Sequence, residues 1–323
     1  MTKLIIQIPC YNEQDSLPIS LPELPREIPG IDVVEWLIID DGSFDRTVEV
    51  ARQLGVDHIV SMKQNSGLAK VFMKGLDTCL RLGADIIVNT DADNQYCAAD
   101  IPKLVEPILA GRADYVIGAR PISDIPHFSP IKKMLQKLGS WAVRVASNTE
   151  VPDAPSGFRA MSRACALRLN VLSEYTYTIE TIIQAGRAGM AIENVDIRVN
   201  EDLRPSRLVK SISSYVQRSL VTIARIFMTY KPMRTFMYPG AVVGGIGVLI
   251  GVRFLIYLAL GHGQGHLQSL VLVAILILVG AQMMLFGLLA ELIGNNRKIL
   301  EDIQWRTRRM ELEAETGRME KVV

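Results

Sequence analysis

The first 200 residues alternate between short apolar runs and segments in which apolar positions have helical spacing. The apolar runs lie at residues 4–8, 35–39, 58–60, 85–88 and 115–118. Because these runs are continuous, they predict strands covered on both faces, as in a mainly parallel sheet. Segments 45–54, 67–82 and 99–110 predict helices, with Ser43 or Asp45 capping the first. The pattern therefore predicts an α/β, Rossmann-like domain whose ligands lie at the carboxyl ends of the strands.

A later region, residues 236–292, contains two charged side chains, Arg253 and Glu291. Its two apolar stretches, 236–260 and 267–292, are each long enough to cross a hydrocarbon core of about 30 Å. Lysine and arginine flank both stretches and are absent from the short loop between them. By the positive-inside rule, we expect a transmembrane hairpin with both termini in the cytoplasm.

The segment before this hairpin, residues 205–230, carries apolar side chains on one helical face and basic side chains on the other. Such a helix suits the headgroup region of a membrane, although an ordinary surface helix packed on the first domain has the same pattern. We therefore expect four parts along the chain. They are a first domain at 1–204, juxtamembrane amphipathic helices at 205–234, two transmembrane helices within 235–293, and a charged, helical, cytoplasmic tail at 294–323.

Composition narrows the possible functions. The 35 basic and 34 acidic residues leave a net charge of +1, which excludes a nucleic-acid binder that depends on a basic surface. The four cysteines and four histidines have no metal-ligand spacing, so we expect free thiols in a reducing compartment. The first apolar run is too short for a signal peptide, so we expect the first domain to stay in the cytoplasm. The glycine-rich motifs of dehydrogenases and P-loop enzymes do not occur.

Polar clusters follow three of the predicted strands: PCYNE at 9–13, DDGS at 40–43 and TDADNQ at 90–95. The carboxyl ends of parallel strands meet at one edge of a sheet, so the clusters should converge on one crevice. Carboxylates packed together repel one another unless a cation is present. Hard oxygen ligands suit Mg²⁺ or Mn²⁺, often together with the phosphates of a substrate.

These clusters, with NSGLAKVFMKGL at 65–76, VIGAR at 116–120 and SGFR at 156–159, closely resemble the family-2 glycosyltransferases of GT-A fold. Within that family the chain is similar to the polyprenyl-phosphate branch, which includes the dolichol-phosphate-mannose-synthase-like enzymes. The resemblance covers about residues 3–210, and bacterial members with two C-terminal transmembrane helices extend it to about residue 295. It implies an inverting, metal-dependent enzyme of the inner (plasma) membrane. Such an enzyme moves a sugar from a nucleotide sugar onto a polyprenyl phosphate such as undecaprenyl phosphate.

The resemblance implies a role for each matching residue. Asp91 and Asp93 form the DxD motif and would hold Mg²⁺ or Mn²⁺, with Asp93 as the more direct ligand. The catalytic residues would be Asp91, Asp93, Gln95, Arg120 and Glu180. The nucleotide sugar would contact Pro9, Tyr11, Asn12, Glu13, Asp40, Asp41, Gly67, Asp91 and Ala92. The lipid phosphate would contact Ser156, Arg159, Arg204, Arg207 and Lys210.

Some of these residues also fit a simpler role. Arg204, Arg207 and Lys210 have the position of juxtamembrane charges, which lipid headgroups attract without a specific site. Glu180 fits equally well as a surface charge on its helix. Arg207 stands where many relatives have lysine, which preserves the charge and changes the hydrogen-bond geometry.

The motifs do not specify the sugar. The two-span relatives that the chain resembles favour a UDP-linked sugar; GDP-mannose, or an acceptor other than a polyprenyl phosphate, are the alternatives. Close-packing glycines and apolar tail positions predict a homo-oligomer, a tetramer before a dimer. The alternative is a monomer whose tail folds back on its own first domain. The positions that support an oligomer are the pairs Gly240/Gly244 and Gly247/Gly251, and Ile299, Ile303, Met310 and Leu312.

Overall fold

A computed structural model describes residues 1–121, 130–171, 177–200, 212–260 and 267–319. These residues form two compact units, one comprising Met1–Ser219 with Glu301–Val323 and the other Leu220–Leu300. The four-part division expected above rests on polarity along the sequence, and it stays a prediction.

The first unit contains a sheet of seven strands within the described ranges, in the order β3-β2-β1-β4-β6-β5-β7. The strands are β1 Lys3–Cys10, β2 Val33–Asp40, β3 His58–Ser61, β4 Ile86–Asn89, β5 Tyr115–Ala119, β6 Arg159–Ser162 and β7 Ile192–Asp196. All pair in parallel except β6, which runs antiparallel to both of its neighbours. The predicted α/β architecture with a mainly parallel sheet is confirmed.

Helices cover this sheet and continue through the second unit. They are α1 Leu17–Ser20, α2 Thr47–Gln53, α3 Leu68–Arg81, α4 Ile101–Leu109, α5 Pro130–Ser147, α6 Arg163–Arg168, α7 Thr178–Arg187, α8 Ile212–Tyr230, α9 Tyr238–Ala259 and α10 Leu267–Met319. Short 3₁₀ turns occupy Leu21–Glu23 and Ala98–Asp100, and a π-helical turn occupies Met233–Met237.

The apolar runs form the strands because their side chains are buried against helices on both faces. Leu4, Ile5 and Ile6 of β1 are fully buried, and α3 buries Phe72 and Leu76. The predicted N-cap of α2 at Ser43 or Asp45 is wrong, because the helix begins at Thr47 and its N-cap residue is Arg46, which makes no side-chain cap hydrogen bond. Asp45 Oδ1 accepts a 3.0 Å hydrogen bond from the amide of Thr47, whereas the hydroxyl of Ser43 accepts one from Asn12 across the loop.

Two helical segments are long and apolar enough to cross a membrane, Met233–Ala259 and Gln268–Glu315. The second unit contains all of the first segment and the second segment as far as Leu300. Few of their residues are buried within the chain, which suits contact with lipid better than the core of a soluble domain. The two helices approach closely through glycines. A Cβ on Gly280 would lie 2.6 Å from the amide nitrogen of Gly244, and one on Gly240 would lie 2.9 Å from the carbonyl oxygen of Gly280. The glycine face therefore serves packing inside the hairpin.

Helix α10 does not end at residue 292, where the second apolar stretch ends, but continues to Met319. Ion pairs at i,i+4 spacing support the charged part, with Arg306 bound to Asp302 and Arg309 bound to Glu313. Such ion pairs stabilise the helical conformation of a segment whose side chains are largely exposed.

The tail of α10, residues 301–319, packs on the first unit, to which it belongs. Arg308 lies 3.6 Å from the carboxylate of Asp77 on α3 and donates to the carbonyl oxygens of Ala166 and Leu169 at the end of α6. Leu312 is buried. The tail thus folds back on its own first domain, which is the arrangement expected as the alternative to an oligomer. Three apolar side chains nevertheless stay exposed: Ile299, Ile303 and Met310.

Candidate active site

The carboxyl edge of the sheet brings the predicted clusters together. β1 ends at Cys10, β2 at Asp40 and β4 at Asn89, and the antiparallel β6 begins at this same edge with Arg159. The segments that follow β1, β2 and β4, and the loop that precedes β6, therefore line one edge. This convergence follows from strand direction and needs no further assumption.

The loops after β1 and β2 are tied to each other. The amide of Asn12 donates to Ser43 Oγ at 2.9 Å, and the amide of Phe44 donates to Asn12 Oδ1 at 3.1 Å. Asp40 Oδ1 accepts from the amide of Ser43 at 3.1 Å. Asn12 has a φ of 54°, a left-handed conformation that asparagine tolerates better than most residues. The loop after β1, residues 11–13, and the end of β2 with the loop that follows it, residues 40–44, therefore form one fixed rim.

Glu13 and Asp41 support this rim from below. The buried Glu13 accepts a 2.8 Å hydrogen bond from the hydroxyl of Ser16. The buried Asp41 accepts from the amide of Ser66 at 2.6 Å and from the amide of Gly67 at 3.0 Å, at the start of α3. A carboxylate at a helix N-terminus is stabilised by the amides and the helix dipole. Asp41 and Gly67 are thus hydrogen-bonded to each other. Their predicted contact with the nucleotide sugar stays a prediction.

The loop after β4 holds its carboxylates differently. Burial raises the pKa of the Asp91 carboxyl well above its usual range, and the negative charge of Asp93 raises it further. Asp93 Oδ1 accepts from the amide of Gln95 at 3.3 Å, and Asn94 has a φ of 57°. Two carboxylates that disfavour each other's ionisation form a site at which a cation would lower the free energy.

Gly157 lies directly against the Asp91 carboxylate and the hydroxyl of Tyr177. A Cβ on Gly157 would lie 3.0 Å from Asp91 Oδ2 and 3.0 Å from the hydroxyl of Tyr177. A side chain at this position would require the Asp91 carboxylate and the Tyr177 hydroxyl to move by a few tenths of an ångström. The glycine of the SGFR segment therefore permits the segment to pack directly against the DxD motif.

A buried polar network beneath Asp91 was not predicted from the sequence. Gln7 of β1 donates to Asn89 of β4 at 2.9 Å, and Asn89 donates to the carbonyl oxygen of Gly157 and the hydroxyl of Tyr177, both at 2.9 Å. Tyr96 accepts from the amide of Gly157 at 2.9 Å. The signal that could have identified this network is a polar residue inside each of two apolar runs, because an unpaired buried amide would be costly.

Arg120 is brought to the same edge and is held by Asp153. Its Nε lies 2.7 Å from Asp153 Oδ2 and its Nη2 lies 3.0 Å from Oδ1, which is a two-point ion pair of the kind guanidinium groups favour. Both side chains are largely shielded from solvent. The structure therefore places a fixed positive charge next to the acidic loop, as its effect on the pKa of Asp91 also indicates.

Arg159 does not face a ligand in the way predicted. It is fully buried. Its guanidinium donates to the carbonyl oxygens of Ala154, Ser156 and Thr178 and to the hydroxyls of Tyr115 and Thr181. Through these hydrogen bonds the Arg159 side chain holds the 153–159 loop against α7. We therefore assign Arg159 a supporting role and do not retain it as a contact to the lipid phosphate.

The remaining predicted residues differ in what the structure shows. Ser156 Oγ is buried and has no hydrogen-bond partner among the described residues, so the hydroxyl suits a ligand atom. Glu180 is buried in the first turn of α7, and the prediction of a surface charge there is wrong. Pro9 and Ala92 lie at the same edge on β1 and in the β4 loop. Arg204, Arg207 and Lys210 lie outside the described residues.

The donor set can be tested for its fit to Mg²⁺ or Mn²⁺. No group of three or more His, Cys, Asp or Glu side chains in the described ranges forms a metal cage by itself. Asp91 and Asp93 nevertheless offer two hard, mutually repelling carboxylates, and these ions commonly combine one or two carboxylates with substrate phosphates. The residues fit a divalent cation that is bound together with a diphosphate.

Comparison with known proteins identifies the family of the chain. Residues 5–167 match the family described as Glycosyl transferase family 2. An undecaprenyl-phosphate mannosyltransferase of Micrococcus luteus is 29% identical over 69% of this chain and 93% of its own length. An undecaprenyl-phosphate 4-deoxy-4-formamido-L-arabinose transferase of Photorhabdus laumondii is 25% identical over 95% of this chain and 92% of its own length.

Among solved structures, the chain resembles glucosyl-3-phosphoglycerate synthase from Mycobacterium tuberculosis in complex with Mn²⁺, uridine diphosphate and glucosyl-3-phosphoglycerate. The TM-score is 0.52 at 21% identity, over 69% of this chain and 79–80% of chains of that enzyme. At this identity the likeness establishes the fold of the first unit.

Proposed function

Because the chain belongs to glycosyl transferase family 2, we propose that it transfers a sugar from a nucleotide sugar onto a polyprenyl phosphate at a membrane. The observation that carries this proposal is the pair of carboxylates at the end of β4, in a chain that also has two lipid-compatible helices. Both relatives named above act, by name, on undecaprenyl phosphate, and one of them matches this chain along almost its full length.

In the proposed reaction a phosphate oxygen of the acceptor forms a bond to the anomeric carbon of the donor sugar. The bond from that carbon to the diphosphate oxygen breaks, and the nucleoside diphosphate leaves with the electron pair. A phosphate monoester has its second pKa near 6, so the acceptor is ionised at neutral pH and no protein base is needed. A single displacement of this kind inverts the configuration at the anomeric carbon.

The chain's own residues divide the work. In the rim, the nucleoside would contact Tyr11, Asn12 and Asp40. The divalent cation would be held by Asp91 and Asp93. Bound there, the cation would neutralise charge on the departing diphosphate. Arg120, fixed by Asp153, adds positive potential at the same place without reorganising.

The acceptor side is proposed from fewer residues. Of the described residues, we retain Ser156 as a contact to the lipid phosphate, because its buried hydroxyl has no hydrogen-bond partner among them. Gln95 and the buried Glu180 remain proposed catalytic residues. Arg204, Arg207 and Lys210 remain proposed contacts to the lipid phosphate. In this account the hairpin confines the enzyme to the bilayer that contains its acceptor, which raises the local concentration of that acceptor.

For the donor, we propose a UDP-linked sugar, with GDP-mannose as the alternative. The two relatives are named for different sugars, mannose and 4-deoxy-4-formamido-L-arabinose, so the family assignment leaves the sugar open. We also propose that the catalytic domain lies on the cytoplasmic side of the inner membrane.

A homo-oligomer remains a proposal, with a tetramer before a dimer. It now depends on the exposed tail positions Ile299, Ile303 and Met310, because the glycine face is used inside the hairpin. Light scattering of the protein in mild detergent, corrected for bound detergent, should give a multiple of 35.8 kDa. The mass of one chain would contradict it.

The proposed function is tested by incubating the full-length protein with undecaprenyl phosphate, Mg²⁺ or Mn²⁺ and a panel of nucleotide sugars. We expect one donor to give nucleoside diphosphate and glycolipid in equal amounts, with the glycolipid identified by its mass. Release of diphosphate without glycolipid would contradict the acceptor. Turnover of GDP-mannose alone would reverse the choice of donor.

A further inference from the structure

Phe44 is an exposed aromatic residue at the rim of the site. Its residue surface is 84% exposed, although it lies in the loop that follows the buried end of β2 at Asp40. Its ring lies 6.2 Å from the ring of Tyr11, centroid to centroid, at an interplanar angle of 83°. A single exposed apolar side chain is common on protein surfaces. The position of this one, against a residue predicted to contact the nucleotide, gives it a possible ligand.

The backbone that carries this ring is fixed. The amide of Phe44 donates to Asn12 Oδ1 at 3.1 Å, and the preceding amide donates to Asp40 Oδ1 at 3.1 Å. The amide of Asn12 closes the arrangement by donating to Ser43 Oγ at 2.9 Å. A ring on a fixed backbone loses little conformational entropy when a ligand covers it, so its buried area contributes efficiently to affinity.

Two rings at right angles suit a flat ligand. A planar heterocycle parallel to the Tyr11 ring would meet Phe44 through an edge-to-face contact, and one parallel to Phe44 would meet Tyr11 in the same way. Aromatic groups favour both offset stacking and edge-to-face contact, and each adds to simple burial. The part of a nucleotide sugar with this shape is its base.

We propose that Phe44 binds the nucleobase of the donor together with Tyr11, and so contributes to donor affinity and base selectivity. This inference rests on the proposed function, because it takes the ligand to be the nucleotide of the sugar donor. In the proposed function the diphosphate and the cation would bind at the carboxylates after β4, so a change at Phe44 should affect the base and leave the diphosphate contacts intact.

The experiment measures binding by the full-length protein in detergent with Mn²⁺, using UDP, GDP and inorganic pyrophosphate as separate probes. Phe44→Ala should weaken the preferred nucleoside diphosphate about tenfold, since stacking on one aromatic ring contributes on that order. Pyrophosphate should bind as it does to the wild type. Phe44→Tyr should stay near the wild type, and Phe44→Leu, which keeps apolar area without a flat ring, should resemble Phe44→Ala.

Leu109→Ala provides a matched control, because Leu109 is a partly exposed apolar residue on α4, outside the rim. It should change none of the three affinities. Unchanged nucleotide affinity in Phe44→Ala, or an equal loss for pyrophosphate, would overturn the inference. So would a Phe44→Ala variant that loses only its binding to vesicles of anionic lipid, since that result would identify Phe44 as a membrane contact.

Failure of the proposed function is distinguishable from failure of this inference. If the protein transfers no sugar to undecaprenyl phosphate but Phe44→Ala still weakens one nucleotide selectively, the acceptor is wrong and the role of Phe44 stands. If sugar transfer to undecaprenyl phosphate occurs and Phe44→Ala leaves the nucleotide affinity unchanged, only the inference about Phe44 is wrong.

Discussion

Two acidic loops at the same edge of the sheet differ in how they use their charge. After β2, Asp41 accepts hydrogen bonds from the amides of Ser66 and Gly67, and Asp40 accepts one from Ser43. After β4, Asp91 is half-buried and faces the negative charge of Asp93, and desolvation together with that charge raises its pKa. In the loop after β2, backbone amides stabilise the negative charge of the carboxylates. In the loop after β4, the two negative charges destabilise each other.

This difference shows that an acidic pair in the sequence has no fixed meaning. DDGS and TDADN both follow buried strands, and both read equally well as a turn or as a ligand site. The distinction comes from the partners, because backbone amides hold Asp41 in place for the fold. Asp91 and Asp93 lie in one loop, and the charge of Asp93 disfavours the ionised form of Asp91. A divalent cation stabilises such a pair of carboxylates.

The largest expected effect is that of Asp93→Asn on catalysis. We expect kcat to fall by about 10³-fold or more, because a metal supplies several kcal/mol of transition-state stabilisation and about 1.4 kcal/mol corresponds to a factor of ten. The thermal unfolding midpoint of the metal-free protein should not fall, since a repulsive charge has been removed. Near wild-type turnover by this variant in excess EDTA would rule out the proposed role of the metal.

Asp41→Asn tests the other loop and should have the opposite profile. The side-chain amide can accept one of the two backbone hydrogen bonds, so the free energy of unfolding should fall by about 2 kcal/mol. Below the new unfolding temperature, the apparent affinity for Mn²⁺ should stay near the wild type. Denaturation monitored by tryptophan fluorescence gives the first quantity and a metal titration the second; loss of Mn²⁺ binding in a folded variant would break the comparison.

The raised pKa of Asp91, to about 7, predicts a pH dependence with a definite sign. The folded metal-free protein favours the protonated carboxyl, so this group contributes stability below the ordinary aspartate pKa of about 3.9 and loses it as the pH rises towards 7. A metal requires the ionised form and competes with the proton. Affinity for Mn²⁺ should therefore rise with pH up to neutrality. A flat affinity over this range would show that Asp91 is already ionised.

Arg308→Ala is the smallest expected effect and serves as a control away from both loops. It removes the ion pair with Asp77 and two weak hydrogen bonds to α6, so the free energy of unfolding should fall by about 1 kcal/mol. The affinity for Mn²⁺ and for the nucleotide should not change, because no metal or nucleotide residue contacts this side chain in the described structure. A large loss of donor affinity would connect the tail to the site.

The parts of the fold that the sequence predicted are those with a strong local signal. The five apolar runs became β1 to β5, because a continuous run can be buried on both faces only in a covered sheet. β6 was not predicted, since it has four residues and begins with Arg159, and a charged residue ordinarily argues against a buried strand. Its antiparallel direction follows from contacts distant in sequence, which no local pattern encodes.

The site shows the same division. The convergence of the clusters follows from strand direction and was predictable, whereas the burial of Arg159 was not. An arginine in the SGFR segment reads as a phosphate contact, and its neighbours in sequence do not show that carbonyl oxygens and hydroxyls take up its donors. Gln7 and Asn89 were visible as polar residues within apolar runs, but their pairing needed the register of β1 against β4.

Binding of Mn²⁺ can be measured by electron paramagnetic resonance in the presence of the nucleoside diphosphate of the preferred donor. This measurement shows whether the loop after β4, and not the loop after β2, holds the cation. We expect the full-length wild-type protein and folded Asp41→Asn to bind one Mn²⁺ with similar affinity, and Asp93→Asn to bind it at least about tenfold more weakly. Wild-type affinity in Asp93→Asn, or loss of Mn²⁺ binding in folded Asp41→Asn, would show that the loop after β4 does not hold the cation.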